Sequence, residues 1–242
     1  MTTTSPIARK LTRKYVRPRN YEFLVTIDES WLYLDDCNQS NPVCYVKRGE
    51  DTENQNIITS HELGGKKIMC IGILTGRGPV PLQFVQQNVK INSKYYCEQV
   101  LIPLVETWLP NLYLEGLEKV FIHHDAAPSH TSLQTRLVID QLTENHGVTF
   151  IRREDIPVKS PDASPLDFFG SGYLKQKLQK RKVRTQAGLR KIASKIWSEI
   201  DQEMVLRCFQ SWHKRLLLIE YKHGNHIEQT KQIHRKRLSQ IN

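Results

Sequence analysis

The stretch KVFIHHDAAPSHT, residues 119–131, constrains the fold of this 242-residue chain more than any other. Val120, Phe121 and Ile122 form a short apolar run that stops at His123, His124 and Asp125, with Pro128 close behind. That pattern reads as a buried strand ending in a carboxylate. Strand ends of open α/β sheets diverge into loops and leave a crevice, so Asp125 is the first candidate for chemistry. The competing reading makes Asp125 the cap of a helix beginning near Thr131. YEFLVTID, residues 21–28, repeats the arrangement: Phe23, Val25 and Ile27 alternate with Leu24 and Thr26, and the pattern terminates in Asp28.

The remaining elements follow in a definite order. VCYVK (43–47) reads as a strand inside a polar, loop-like stretch from Asp35 to Lys66, and KIMCIGIL and PLQFVQ make a hairpin around GRGP at 76–79. Asn92 or Ser93 caps a helix running to about Trp108, with Tyr96, Val100, Leu101, Leu104, Val105 and Trp108 at helical spacing. A helix over about 131–144, a strand at VTFIRR (148–153) and helices near 166–182, 186–199 and 201–222 complete the chain. Three meander strands followed by strand, helix, strand predict an α/β fold: a mixed central sheet flanked by helices.

Charge is unevenly placed. Residues 1–19 hold six Lys and Arg, residues 168–198 hold nine and residues 231–242 hold four, none with an acid, while the whole chain is only +10. The rest is therefore net acidic, and an acidic centre between basic stretches suits a polyanion held where metal ions gather among carboxylates. Residues 1–19, broken by Pro6 and Pro18, read as an extended arm or linker, with an organelle transit peptide as the alternative. KRKVR at 180–184 reads as a nuclear import signal, a phosphate-gripping patch or a solvated helix end; Lys175, Lys180, Arg181, Lys182 and Arg184 are the expected DNA contacts. Five cysteines without a CxxC pair fit a reduced nuclear or cytoplasmic setting and core packing. The longest apolar runs, 68–74 and 216–219, are far too short to span a bilayer, so no membrane partner is expected.

Asp28 in TIDESW, Asp125 in HHDAAPSH and Asp167 in SPDASPLDFF form the candidate constellation. Clustered carboxylates hold Mg²⁺, and two such ions about 4 Å apart activate a nucleophile and stabilise the leaving oxygen of a phosphoryl displacement. Among the nearby acids, Glu154 and Asp155 are expected on an exposed turn, and Asp162 as a turn acid that fixes a proline-rich loop. Asp167 follows Pro165 into the opening turn of a helix whose Leu166, Phe169 and Tyr173 are expected to pack on the sheet. His123, His124 and His130 match no common zinc spacing.

These blocks resemble the mariner-like branch of the Tc/mariner transposases from about residue 21 to 228. TIDESW is similar to the block around the family's first catalytic Asp, through Thr26, Asp28, Glu29 and Trp31. HHDAAPSHT is similar to the second block at His124, Asp125, Ala127, His130 and Thr131, and SPDASPLDFF to the third; Trp212 to Glu228 resembles the family's C-terminal helix and tail. The resemblance implies a ribonuclease H-like fold and a DDD triad of Asp28, Asp125 and Asp167 holding two Mg²⁺ or Mn²⁺ ions. It also implies DNA partners, namely transposon ends and a target at TA, together with a homodimer formed through a clamp-like loop within 35–66, and work in the nucleus.

The chain departs from the family at Ala126, where Asn or Gly is usual, at GSGYLK (170–175), and in the 41 residues between Asp125 and Asp167, more than the mariner spacing. Residues 1–20 do not contain the paired helix-turn-helix modules that read transposon ends, which suggests an excised catalytic domain or a truncated gene. The expected organisation is a basic arm over 1–20, a catalytic domain over 21–228 and a basic tail over 229–242. The rivals are a decayed or domesticated remnant that binds DNA or a partner without catalysis, and a ribonuclease acting on RNA in hybrids.

Overall fold

Leu24–Tyr33 form β1, the strand on which the architecture is built, because its side chains are wanted on both faces. Leu24 and Leu32 enter one apolar cluster, whereas Val25 and Ile27 enter a second on the other side. The chain is seen in a computed structural model that describes residues 4–34, 67–157, 160–179, 181, 183–225 and 227. The expected strand at 43–47 and the clamp-like loop lie outside the described residues, as does the tail.

β2 (Lys67–Thr75) runs antiparallel to β1 and β3 (Gly78–Phe84) antiparallel to β2, which is the expected hairpin. β4 (Phe121–His123) and β5 (Thr149–Phe150) join on the other side in parallel, giving the order β3-β2-β1-β4-β5. β1 does not end at Asp28 as expected: β2 pairs with it through Tyr33. Its parallel partner β4 ends where Thr26 meets His123, so that edge of β1 is free of β4 from Asp28 onward.

One face of the sheet carries a helical stretch over 93–112, in which α2 (Ser93–Tyr96) and α3 (Leu109–Leu112) flank π-helical turns at Cys97–Leu101 and Leu104–Trp108. Pro103 sits between those turns without an N–H to donate, and wider turns accommodate such a residue inside a continuing helix. The same face holds α4 (Pro128–Thr131) and α5 (Leu133–His146), which Ser132 caps by accepting from the Thr135 N–H. On the other face lie α6 (Ser171–Gln179), α7 (Gln186–Ser198) and α8 (Gln202–Tyr221). Opposite Asp28 in the β1–β2 register stands Gly72, where a Cβ would come within 2.9 Å of the Trp197 ring. Absence of a side chain there lets Trp197 of α7 close over the strand.

The expected extended arm is corrected: Thr4–Lys14 form a helix, α1, packed against α8. Ala8, Leu11, Thr12 and Tyr15 recur at helical spacing and are buried. Pro6 falls in the first turn, where a missing N–H costs little, and Pro18 lies beyond the end, so neither breaks the helix. Asp155, expected on an exposed turn, is fully buried beneath this helix. Tyr15 donates to its Oδ2 at 2.9 Å and the Lys10 ammonium lies 2.5 Å from its Oδ1. Cys70, Cys97 and Cys208 are buried free thiols. Among the described residues no helix is long and apolar enough to cross a membrane.

Candidate active site

Side chains alternate along a strand, so the consecutive acids of β1 point to opposite faces. Asp28 shares its face with Thr26, whose hydroxyl lies 3.3 Å from His123 Nδ1, and Asp28 Oδ1 accepts from the Glu29 N–H at 2.9 Å. Glu29 turns the other way. It meets His130 Nε2 at 3.0 Å, and the same imidazole reaches Asp125 Oδ1 through Nδ1 at 2.5 Å.

Asp125 follows β4 directly, at the crevice left where that strand stops. Its Oδ1 also accepts from the Ala127 N–H at 3.0 Å, which closes a local turn, and the α4 N-terminus has no side-chain cap, so the capping role is absent. His130 is held from behind by Tyr96, whose ring centroid lies 3.8 Å away. Asp167 lies, as expected, at the start of a helix, in a π-helical turn over Leu166–Gly170 that runs into α6. Leu166 anchors that turn in the core, and Phe169 and Tyr173, half-buried, pack against the same cluster as expected.

Electrostatics tie the three aspartates together. Burial, then the charges of Asp167, Glu29 and Asp125, push the Asp28 carboxyl up to about 8. Asp167 is raised by burial and by Asp125, against the relief given by Ser164 and Lys175. Asp125 goes the other way: burial would raise it, but the hydrogen bonds from His130 and the Ala127 amide and the His130 charge bring it below its ordinary value. Burial would lower His130, yet its bonds to Asp125 and Glu29 carry it up to about 9, so it is an imidazolium at neutral pH. His123 and His124 are neutral, pushed down by burial to about 4 and about 3. His124 accepts from or donates to Tyr96 Oη at 3.0 Å, and His123 lies against the Trp212 ring edge on the other face.

Among the described residues no three His, Cys, Asp or Glu side chains are gathered closely enough to hold a metal ion as they stand. The chemistry of Asp28, Asp125 and Asp167 nonetheless fits a hard divalent cation, because they offer only oxygen donors, and the suppressed ionisation of Asp28 is what a cation would relieve.

Of the basic residues expected at DNA, Lys175 on α6 is close enough for its charge to act on Asp167, and Arg181 and Arg184 are exposed beyond it. Lys180 and Lys182 lie outside the described residues. Glu29 and His130 carry structural roles that composition and spacing did not assign. Both stand inside the blocks that drew attention, but only the sheet's pleat reveals that Glu29 turns away from Asp28 toward His130.

The fold has solved counterparts. The Mos1 transposase in a paired-end complex with the left transposon end aligns at 22% identity and a TM-score of 0.72, covering 93% of this chain and 62% of that one. The catalytic domain of Mos1 mariner transposase aligns at 17% identity and a TM-score of 0.67, covering 93% of each chain. This is the ribonuclease H-like fold of a mariner transposase catalytic domain. A pre-cleavage Mos1 transpososome gives 21% identity and a TM-score of 0.71 over 94% of this chain and 65% of that one. The chain thus spans less than two thirds of the transposase chains in those complexes. No protein-family model and no curated protein matches the sequence.

Proposed function

We propose that the chain is the catalytic domain of a DNA transposase, a metal-dependent polynucleotidyl transferase acting in the nucleus on transposon ends and target DNA as a homodimer. The observation that carries this reading is the convergence of Asp28 on β1, Asp125 in the loop after β4 and Asp167 in the turn before α6, near enough that the charges of Asp167 and Asp125 act on Asp28 and that of Asp125 on Asp167. Mos1 structures have been solved with Mn and with Mg, in keeping with divalent metal here.

Asp28, Asp125 and Asp167 would hold Mg²⁺ or Mn²⁺, two ions in the full site. When bound, such ions supply Lewis-acid activation of the attacking oxygen and stabilisation of the leaving oxygen. The chain's own residues do the rest. His130, pinned by Glu29 and stacked on Tyr96, fixes the rotamer of Asp125, so a carboxylate on a loop is held with the precision of the sheet. Lys175 offsets negative charge beside Asp167, and Arg181 and Arg184 extend that positive potential for phosphate contacts, with Lys180 and Lys182 expected to join them. The reaction is hydrolysis of a phosphodiester to free a 3′ hydroxyl, then attack of that hydroxyl on a target phosphodiester.

Nicking of supercoiled DNA with Mn²⁺ tests the proposal. The wild type should nick and Asp125→Ala should not. Salt-sensitive DNA binding without nicking by the wild type would instead favour the non-catalytic remnant.

A further inference from the structure

The helix that starts beside Asp167 has an outer face that the acids do not use. Leu166, Gly170, Leu174 and Leu178 are buried on its inner side, whereas Phe169 and Tyr173 pack against the core only in part and keep exposed surface. There Phe169, Gly172, Tyr173, Lys175, Gln176 and Gln179 line an open groove of about 540 Å³. The Phe169 and Tyr173 rings, one turn apart, lie 5.9 Å between centroids and only 25° from parallel. Between them stands Gly172, around whose absent Cβ there is nothing within 4 Å, so that position adds no side chain beside the rings.

The rim is cationic. The Lys177 ammonium lies 5.4 Å from the Tyr173 centroid, whereas the Arg215 guanidinium, 4.4 Å from the centroid of Phe168 in the groove wall, is engaged by Asp162. Lys175 reaches from the groove toward Asp167. Residues 168–198 contain nine Lys and Arg and no acid, which argues for an anionic occupant. A duplex hides its base faces inside its own stack, whereas an unpaired strand offers flat π-faces and phosphates together. Aromatic rings flanked by cations accept that combination from any base. The exposed contact of Lys177 with Tyr173 is weaker than a base stack, so a base displaces the ammonium and leaves it free to meet the next phosphate.

We propose that this groove is a stacking platform for unpaired nucleotides of a DNA strand, which it holds next to Asp167. The proposal rests on the reading of the chain as a DNA-processing domain. It adds a preference for frayed or single-stranded DNA over closed duplex, carried by Phe169 and Tyr173.

Binding is measured with the full chain in EDTA, by fluorescence anisotropy of a blunt duplex and of the same duplex with a short unpaired flap containing 2-aminopurine. The wild type should bind the flapped duplex about 5- to 100-fold more tightly, with quenching of the 2-aminopurine as it stacks. Gly172→Leu fills the groove at a position with room for it. It should erase the preference and the quenching while leaving blunt-duplex affinity unchanged and the melting temperature no lower, since a better helix former replaces a helical glycine; Gly172→Ala should keep the preference and the quenching. A wild type without preference, or Gly172→Leu with its preference and quenching intact, overturns the proposal and leaves the groove to another occupant such as a protein partner. Absence of binding to either DNA overturns the DNA reading as well, so the two failures are distinguishable.

Discussion

Asp125 and Glu29 never meet, yet both are bound by one imidazole: His130 donates to Asp125 Oδ1 at 2.5 Å and to Glu29 Oε1 at 3.0 Å. Glu29 follows Asp28 on the central strand, so the bridge ties the loop acid to the strand that carries the first acid. His130→Gln should lower metal-dependent nicking about 10- to 100-fold, as does loss of a group that orients a metal-binding side chain. It should also raise the Mn²⁺ concentration needed for half-maximal rate, with the circular dichroism spectrum unchanged. A variant that nicks at the wild-type rate and the same Mn²⁺ requirement would show that Asp125 is oriented without it.

The same groups set a pH dependence. Asp28 is raised to about 8 in the folded protein, so its contribution to stability is full below the ordinary carboxylate range and is lost as pH rises through 8. His130 is raised to about 9, so its contribution is full below about 6.5 and is lost as pH rises through 9. The loss from Asp28 runs from pH 3.8 to about 8 and that from His130 from 6.5 to about 9, so both contribute to a decline between pH 6.5 and 9. Metal-free protein should therefore melt at least about 5 °C lower at pH 9 than at pH 6.5, and Mg²⁺ should restore part of the difference by binding the ionised acids. Calorimetry in EDTA against Mg²⁺ measures this; Asp28→Asn should shrink both the slope and the metal response.

What the sequence reveals here depends on how local the signal is. The apolar runs that become β1 and β4 and the acids at Asp28 and Asp125 are legible because strand periodicity and abrupt polar stops lie within a few residues. The extension of β1 past Asp28 is not, since it depends on β2 arriving from beyond residue 66. Helix α1 is hidden because its two prolines look like breakers, and only contact with α8 gives its apolar stripe a partner. Asp155 looks like a turn acid until that helix arrives with Lys10 and Tyr15 to cover it. The bridge through His130 joins residues 101 apart, a separation that spacing rules do not reach.

Docking of α1 gives a test of its own. Tyr15 Oη donates at 2.9 Å to a carboxylate with 1% side-chain exposure, and Tyr15 itself packs edge-on to Phe121 of β4 at 5.6 Å. Tyr15→Phe keeps the ring and removes the bond to a buried charge, which should cost about 1.5–3 kcal/mol. Urea unfolding measures the loss, and a cost under about 0.5 kcal/mol would mean that Lys10 and Lys14 satisfy Asp155 without the hydroxyl.

Asp162 and Asp167 lie five residues apart and should fail in opposite ways. Asp162 is 3% exposed. Its Oδ1 lies 3.2 Å from the Arg215 guanidinium, its Oδ2 accepts from the Ile227 N–H at 3.0 Å, and the neighbouring Ala163 carbonyl accepts from the Trp212 indole at 2.7 Å. It therefore fastens the loop before the third acid onto α8. Asp162→Asn removes a buried charge that faces Arg215 and accepts from Ile227, and should cost about 2–4 kcal/mol of stability while the remaining folded fraction still nicks DNA. The charge of Asp167 is one cause of the high Asp28 value. Asp167→Asn relieves that repulsion, so without metal the variant should melt no lower than the wild type. With metal it should show neither the wild-type rise in melting temperature nor nicking, because one of three carboxylate ligands is gone. Melting curves with and without Mn²⁺, run beside the nicking assay, separate the two roles. A dead but fully stable Asp162→Asn together with an active Asp167→Asn would move the third acid to Asp162 and shorten the spacing from Asp125 accordingly.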